Sequence, residues 1–295
     1  MLAALIGLAA VAETVWITPE VRGYPESLIV APDGVIILSV VFSGKIFARS
    51  ADGSVRELAS IPDLEEGQPG FVCVVRAEDG KLYASANRKR GEVWRIHEDG
   101  KPPVLLSTLP DVAQPNGITS DGHGGLILGD NFAGLWHVDI ASGKARRWLE
   151  HPLLTRTEGG VIPAANGVQR LKNAIYVSNS DRGLLLRIPM DPTGKAGRPA
   201  IVGQNAPGDD FALANDGTAY VTTHPHNTVL KVQKGGKVST FAGTAEGMYG
   251  PTAATIQKAD GKSWLYVATD GDAFSNGGKP RIPPSIIRIS LPEGR

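Results

Sequence analysis

A chain of 295 residues with 36 glycines, 21 prolines and a 42% apolar share can bury a large core, and its wealth of turn residues suits many short strands better than long helices. Thirty basic and thirty acidic residues cancel, so no overall field draws the chain to nucleic acid or to an anionic membrane. A single cysteine, Cys73, excludes an intrachain disulfide and a cysteine-rich zinc site.

The chain opens on an apolar stretch, residues 2–12, too short to cross a bilayer. It is similar to the core of a secretory signal ending in Ala-x-Ala, without the usual basic residues before it. Two expectations stay open: residues 1–12 as a leader on a periplasmic or secreted protein, or as an apolar tail packed on a cytoplasmic one. Residues 13–295 then read as one domain. Its first unit runs from Ser27-Leu28-Ile29-Val30 through a turn at Asp33-Gly34 into the nearly all-apolar stretch from Val35 to Val41. Ser43-Gly44 turns into Lys45-Ile46-Phe47-Ala48-Arg49, and Asp52-Gly53 into Val55-Arg56-Glu57-Leu58. That makes four strands joined by tight turns.

The same order recurs around Lys81-Leu82-Tyr83-Ala84-Ser85, Gly125-Leu126-Ile127-Leu128-Gly129, Ala174-Ile175-Tyr176-Val177-Ser178, Ala219-Tyr220-Val221-Thr222 and Trp264-Leu265-Tyr266-Val267-Ala268. An anchor eight residues before each unit's first turn falls on Glu26, Val72, Asn116, Asn166, Asp209 and, with one extra residue, Thr252, at steps of 46, 44, 50, 43 and 43 residues. A period in the forties with four strands per unit predicts an all-β, six-bladed β-propeller of antiparallel sheets. The sixth unit lacks a fourth strand, which Thr14-Val15-Trp16-Ile17 supplies from the other end, removing an exposed edge. Glu150 to Ala165 and Gly271 to Pro284 are the least strand-like segments and read as pocket walls or lids. Arg88-Lys89-Arg90 reads as a solvated loop, and Cys73, within Phe71-Val72-Cys73-Val74-Val75, as a small buried core residue.

In a propeller the inner strand of each blade lines a central channel, so the anchors face a common centre. Glu26, Asn116, Asn166 and Asp209 bring two carboxylates and two amides, with Val72 and Thr252 completing the ring. An all-oxygen set of this kind suits one hard divalent cation, Ca2+ before Mg2+, because a cage spread over several residues fits the larger ion. Asp210 adds an oxygen or accepts a hydrogen bond just behind it. Asn116-Gly117 and Asn166-Gly167 are also hairpin-turn dipeptides. Their register with Glu26 and Asp209, where no turn is required, favours the metal reading. Without a metal the converging carboxylates repel, and at least one takes up a proton.

His224, in Thr222-Thr223-His224-Pro225-His226-Asn227, ends a second strand on the rim that carries Asp209. It reads either as a solvated loop histidine or as a base or orienting group beside the metal; His226 reads as exposed. Asp130 and Asn131, Asn179 and Ser180, and Asp270 end other second strands, so these residues, with Asp210 and Tyr249, are substrate-pocket candidates or simple turn residues.

Pro25-Glu26-Ser27, Gln114-Pro115-Asn116-Gly117, Ala165-Asn166-Gly167-Val168 and Asp209-Asp210-Phe211-Ala212-Leu213 resemble, within a match spanning about Tyr24 to Leu291, the calcium-dependent six-bladed propellers. These include the senescence-marker-protein/gluconolactonase group, the paraoxonases, the squid-type diisopropylfluorophosphatase and the strictosidine-synthase-like proteins. The resemblance implies a catalytic calcium held by Glu26, Asn116, Asn166 and Asp209, and His224-Pro225 is similar to a histidine-proline pair near the paraoxonase pocket. The stretch from Gly167 to Gly250 also resembles propellers of fungal biosynthetic clusters, some of which catalyse cyclisations.

The leading expectation is therefore a calcium-dependent hydrolase of a lactone or related ester, with Asp209, Glu26 and His224 as its catalytic residues. Its partner is a small-molecule substrate, without nucleic acid or membrane, and the chain acts as a monomer or weak oligomer. A metal-independent synthase or cyclase predicts instead an aromatic pocket of Phe42, Phe132, Trp136, Tyr249 and Phe274. A binding propeller predicts an exposed apolar patch and no perturbed carboxylates in the channel.

Overall fold

A computed structural model describes residues 12–18, 24–110, 112–259 and 261–292. Residues 1–11, which carry nearly all of the leader-or-tail expectation, lie outside the described residues, and no described helix is long and apolar enough to cross a membrane. Six four-stranded antiparallel sheets make six blades of a β-propeller. Their inner strands are Pro25–Val30, Phe71–Arg76, Pro115–Ser120, Ala165–Leu171, Phe211–Leu213 and Pro251–Ala259, and each touches the inner strands of the blades before and after it. Five blades are simple meanders; the sixth takes Ala12–Ile17 as its outermost strand, antiparallel to Ser285–Ser290. This strand begins at Ala12, one residue before the expected domain start. Joining the two ends of the chain in one sheet closes the ring without an open edge.

Burial follows strand position. The second strand Ile36–Val40 is buried at every residue, whereas the outer strand Val55–Ser60 is largely exposed. The apolar residues gather into six clusters, one between each pair of neighbouring blades; Ile37, Ile46, Phe71, Leu82 and Trp94, for example, join blades one and two. The core is thus distributed round the ring, and the axis is left to polar side chains.

Two devices position the anchors. Glu26, Val72, Asn116, Asn166 and Thr252 each sit where the register of the inner strand shifts against its neighbour. Such a bulge re-aims the side chain, here toward the axis. Next, a hydroxyl from the second strand of one blade donates to the anchor carbonyl of the following blade: Ser39 Oγ to Val72 O (2.7 Å), Ser85 Oγ to Asn116 O (2.5 Å), Ser178 Oγ to Asp209 O (3.0 Å) and Thr222 Oγ1 to Thr252 O (2.7 Å). These latches satisfy the anchor carbonyls, three of which, on Val72, Asn116 and Thr252, lie at bulges that take them out of the ladder.

Arg88 differs from the solvated-loop expectation: its guanidinium bonds both oxygens of Glu92 and stacks 5.6 Å from the Trp94 ring. Cys73 is partly buried and packs against the apolar cluster between blades two and three, with Sγ 3.2 Å from Ser27 Oγ, and burial, with Asp210 adding, pushes its thiol up to about 12.

Candidate metal centre and active site

Asn116 and Asn166 lie inside strands, not in hairpin turns. The glycine after each is demanded by close approach. A Cβ on Gly117 would stand 2.5 Å from Asn166 O, and one on Gly167 would stand 2.6 Å from Asp210 Oδ1. Asn-Gly here marks the place where neighbouring inner strands pass nearly in contact.

Asp209 is clamped by its backbone: its N–H donates to Thr222 O (2.8 Å), and its carbonyl accepts from Gly167 N (2.9 Å) and Ser178 Oγ. Its Oδ1 accepts from Asn166 Nδ2 (2.7 Å), which also donates to Ser180 Oγ (3.0 Å). Asn116 Nδ2 donates to Asn131 Oδ1 (3.1 Å). Both amide nitrogens are thereby engaged by protein, and neither amide oxygen accepts a hydrogen bond from a described residue.

His224 opens a single 3-10 turn, His224–His226, that Asn227 ends in the left-handed conformation. Asn227 Oδ1 accepts from Gly250 N (2.6 Å), tying the turn to blade six. The imidazole lies between two carboxylates, with Nε2 2.9 Å from Asp270 Oδ2 and Nδ1 3.2 Å from Asp209 Oδ2. The second approach is an ion pair too oblique for a hydrogen bond, so Asp209 Oδ2 remains a buried oxygen without a donor. Burial alone would lower the pKa of His224, but Asp209 and Asp270, with Glu26 behind them, overcome it and push it up to about 10. Asp270, fully buried, also accepts from Ala273 N and Phe274 N, and the Phe274 ring rests 4.9 Å from the imidazole.

The two other carboxyls are held toward their neutral forms. Burial first, then Asp209, raises Glu26 well above the carboxylate range, with Asp270 and Asp210 adding and His224 opposing. Burial, with Asp209 adding, pushes Asp210 up to about 8.

Among the described residues no group of three or more His, Cys, Asp or Glu side chains is placed to hold a metal ion. A cation at this place therefore depends on the amides, and the donors fit one. The Glu26 carboxyl, Asn116 Oδ1, Asn166 Oδ1 and Asp209 Oδ2 accept no hydrogen bond from described residues, all four are hard oxygens, and the surrounding acid groups are short of positive charge.

No family model matches the sequence, and no curated protein matches it either. Solved structures do match in shape. Regucalcin, a calcium-binding protein from Agrobacterium tumefaciens, superposes with a TM-score of 0.71 at 14% identity over 97% of this chain and 96% of that one. A gluconolactonase from Xanthomonas campestris gives 0.69 at 12% identity over 96% and 90%. Virginiamycin B lyase from Staphylococcus aureus gives 0.65 at 15% identity over 96% and 100%.

The chain has the six-bladed fold of the regucalcin and gluconolactonase propellers. On this fold the other expected site residues divide. Asp210, Asp270 and Asn131 belong to the centre, and His226 is exposed. Asp130 and Asn179 are corrections. Asp130 accepts from Trp136 Nε1 and from the N–H groups of Phe132 and Gln114, while Asn179 donates to Leu153 O and Thr155 O and accepts from Arg182 N. Their hydrogen-bonding capacity is spent on capping the loops behind them, so neither is a pocket surface. No hydrogen bond joins the Tyr249 side chain to a described residue of the centre. Trp136 is buried core beneath Arg147, not an aromatic wall, while Phe42, Phe132 and Phe274 are exposed on loops that follow second strands, at the end of the propeller where His224 lies. Sequence reasoning missed Tyr24. Its phenol lies within the field of Asp270 and Glu26, and its place just before Pro25-Glu26 was the available signal.

Proposed function

We propose that this propeller is a calcium-dependent hydrolase that opens a lactone or related ester. The observation that carries the reading is the set of four donor-free oxygens, on Glu26, Asn116, Asn166 and Asp209, beside the His224–Asp270 pair. A bound calcium ion would supply Lewis-acid polarisation of the carbonyl and stabilise charge developing on its oxygen. The remaining chemistry belongs to the chain. Asp270 fixes the imidazole through Nε2, and Phe274 limits water around it. A cation beside Asp209 would weaken the charge that holds a proton on His224. Its imidazole then takes a proton from the attacking water and returns it to the leaving alkoxide.

Elimination is a second reading. One solved neighbour is a virginiamycin B lyase described as catalytically inactive after a histidine-to-alanine change, bound to quinupristin, and His224 would suit removal of a proton from carbon. The raised Glu26 and Asp210 weigh against a propeller that only binds.

The test is metal analysis of the purified protein, then a lactone and ester panel with and without chelator in 18O-labelled water. Hydrolysis puts one labelled oxygen into the acid product, whereas elimination puts in none and leaves a carbon–carbon double bond. Turnover undiminished by chelation would sink the calcium reading.

A further inference from the structure

We propose that Asn131 and Ser180 are positioning residues that hold the amide nitrogens of Asn116 and Asn166, so that both anchors present oxygen, not N–H, to the centre. The gain in calcium affinity that follows rests on the hydrolase reading; the orientation of the amides does not.

A primary amide has two ends of nearly equal size and opposite polarity. Turned over about its last side-chain bond, an asparagine offers N–H donors where it offered an oxygen, and a cation that the oxygen attracts is repelled. Asparagine supplies two of the four donor-free oxygens here, so whether the centre favours a cation depends on what fixes those two amides.

The topology supplies the partners. The second strands Gly125–Asp130 and Ala174–Asn179 end opposite the residue before each anchor, with Pro115 paired to Asp130 and Ala165 to Asn179. The next residue along, Asn131 or Ser180, thereby falls diagonally beside the anchor of its own blade. In blade five the equivalent position is His224, beside Asp209.

Each partner is fixed independently of the amide it holds. Asn131 N donates to Gln114 O, and its carbonyl accepts from Ala164 N, both at 2.9 Å. Ser180 Oγ donates to Gly208 O at 2.6 Å, which leaves its lone pairs to accept from Asn166 Nδ2 at 3.0 Å. The second proton on that nitrogen goes to Asp209 Oδ1 at 2.7 Å, and a carboxylate oxygen cannot donate in return. Both N–H groups of Asn166 are therefore spent. Asn116 Nδ2 has one partner among the described residues, Asn131 Oδ1 at 3.1 Å. The two clamps are unequal, and Asn116 depends on Asn131 more than Asn166 depends on Ser180.

The experiment follows the side-chain amide protons of Asn116 and Asn166 by 15N-edited NMR of the chelated protein, and calcium affinity by calorimetry. In the native chain one Asn116 proton and both Asn166 protons exchange slowly with water. Asn131→Leu frees the Asn116 amide and weakens calcium binding about tenfold. Asn131→Asp, which keeps an oxygen acceptor, preserves the protection of Asn116. Ser180→Ala frees one Asn166 proton, leaves the one on Asp209 and weakens binding roughly threefold; Ser180→Thr, which keeps the hydroxyl, restores both. Native amide protons that exchange as fast as those of an exposed asparagine, or an Asn131→Asp protein that loses protection as Asn131→Leu does, would refute the clamps. Protection lost as expected with calcium affinity unchanged would refute their part in cation binding, and so would a larger loss from Ser180→Ala than from Asn131→Leu. The expected protection in a native chain that binds no calcium would uphold the clamps and overturn the calcium reading.

Discussion

At the scale of single residues, the centre is a cluster of acid groups that cannot all carry charge together. His224 answers this by keeping a proton between Asp209 and Asp270, while burial and the neighbouring acids push Glu26 and Asp210 toward their neutral forms. Asp209→Asn removes the donor-free oxygen charge, and we expect cation affinity and turnover to fall at least a hundredfold while the melting temperature of the chelated protein holds or rises. Calcium titration and kinetics check this. The pH dependence in chelator follows from two raised values. Asp210 keeps its proton to about 8 against an ordinary 3.8, and His224 to about 10 against 6.5, so in both windows the folded chain binds more protons than the unfolded one. Stability should therefore fall as pH rises from about 4 to 8 through Asp210, and from about 6.5 to 10 through His224. Saturating calcium, which needs charged carboxylates, should flatten that slope. Melting curves from acid to alkaline pH, with chelator and with calcium, decide it; a chelated protein that grows more stable between pH 6 and 8 would contradict the arrangement.

At the scale of elements, the proposed centre depends on backbone placement. Ser178 of one blade holds the Asp209 carbonyl of the next, and Gly167 lets that strand pass. Ser178→Ala should cost about 1 kcal/mol in denaturant unfolding, because the carbonyl keeps its bond from Gly167 N. Gly167→Ala drives a methyl to 2.6 Å from Asp210 Oδ1 and should cost about 1–3 kcal/mol, with weakened calcium binding because Asp209 shifts as well. Equal calcium affinity in native protein and Gly167→Ala would mean that strand spacing does not position the metal oxygens.

At the scale of the whole molecule, the ring is held shut by Ala12–Ile17, whose Trp16 is buried between blades six and one and whose Glu13 pairs with Arg288. Removing residues 1–17 exposes the edge of Ser285–Ser290 and opens that core, so the shortened chain should melt lower and aggregate on size-exclusion chromatography. Trimming to Glu13 keeps nearly all of the strand and should leave the ring intact, whichever fate residues 1–12 meet. Calcium at a hundred times its dissociation constant should stabilise the native ring by about 2.7 kcal/mol, read as a rise in melting temperature that Asp209→Asn abolishes.

The blades, their number and the closing strand were legible in the sequence, because alternation, Asp-Gly turns and a period in the forties are local signals that repeat. So was the register of the anchors. A further signal lay beside it: a hydroxyl 12 or 13 residues after Glu26, Val72, Asn166 and Asp209 (Ser39, Ser85, Ser178 and Thr222), which the structure shows as the inter-blade latches. Asp130, Asn179 and Asp270 all end second strands, and nothing in their local sequence says that only Asp270 reaches a histidine. Only the tertiary structure decides that, because closing a ring of blades sets Asp270 2.9 Å from a side chain 46 residues earlier. Repetition along a chain specifies the blade; which side chains share a proton depends on distances across the axis, which no local pattern encodes.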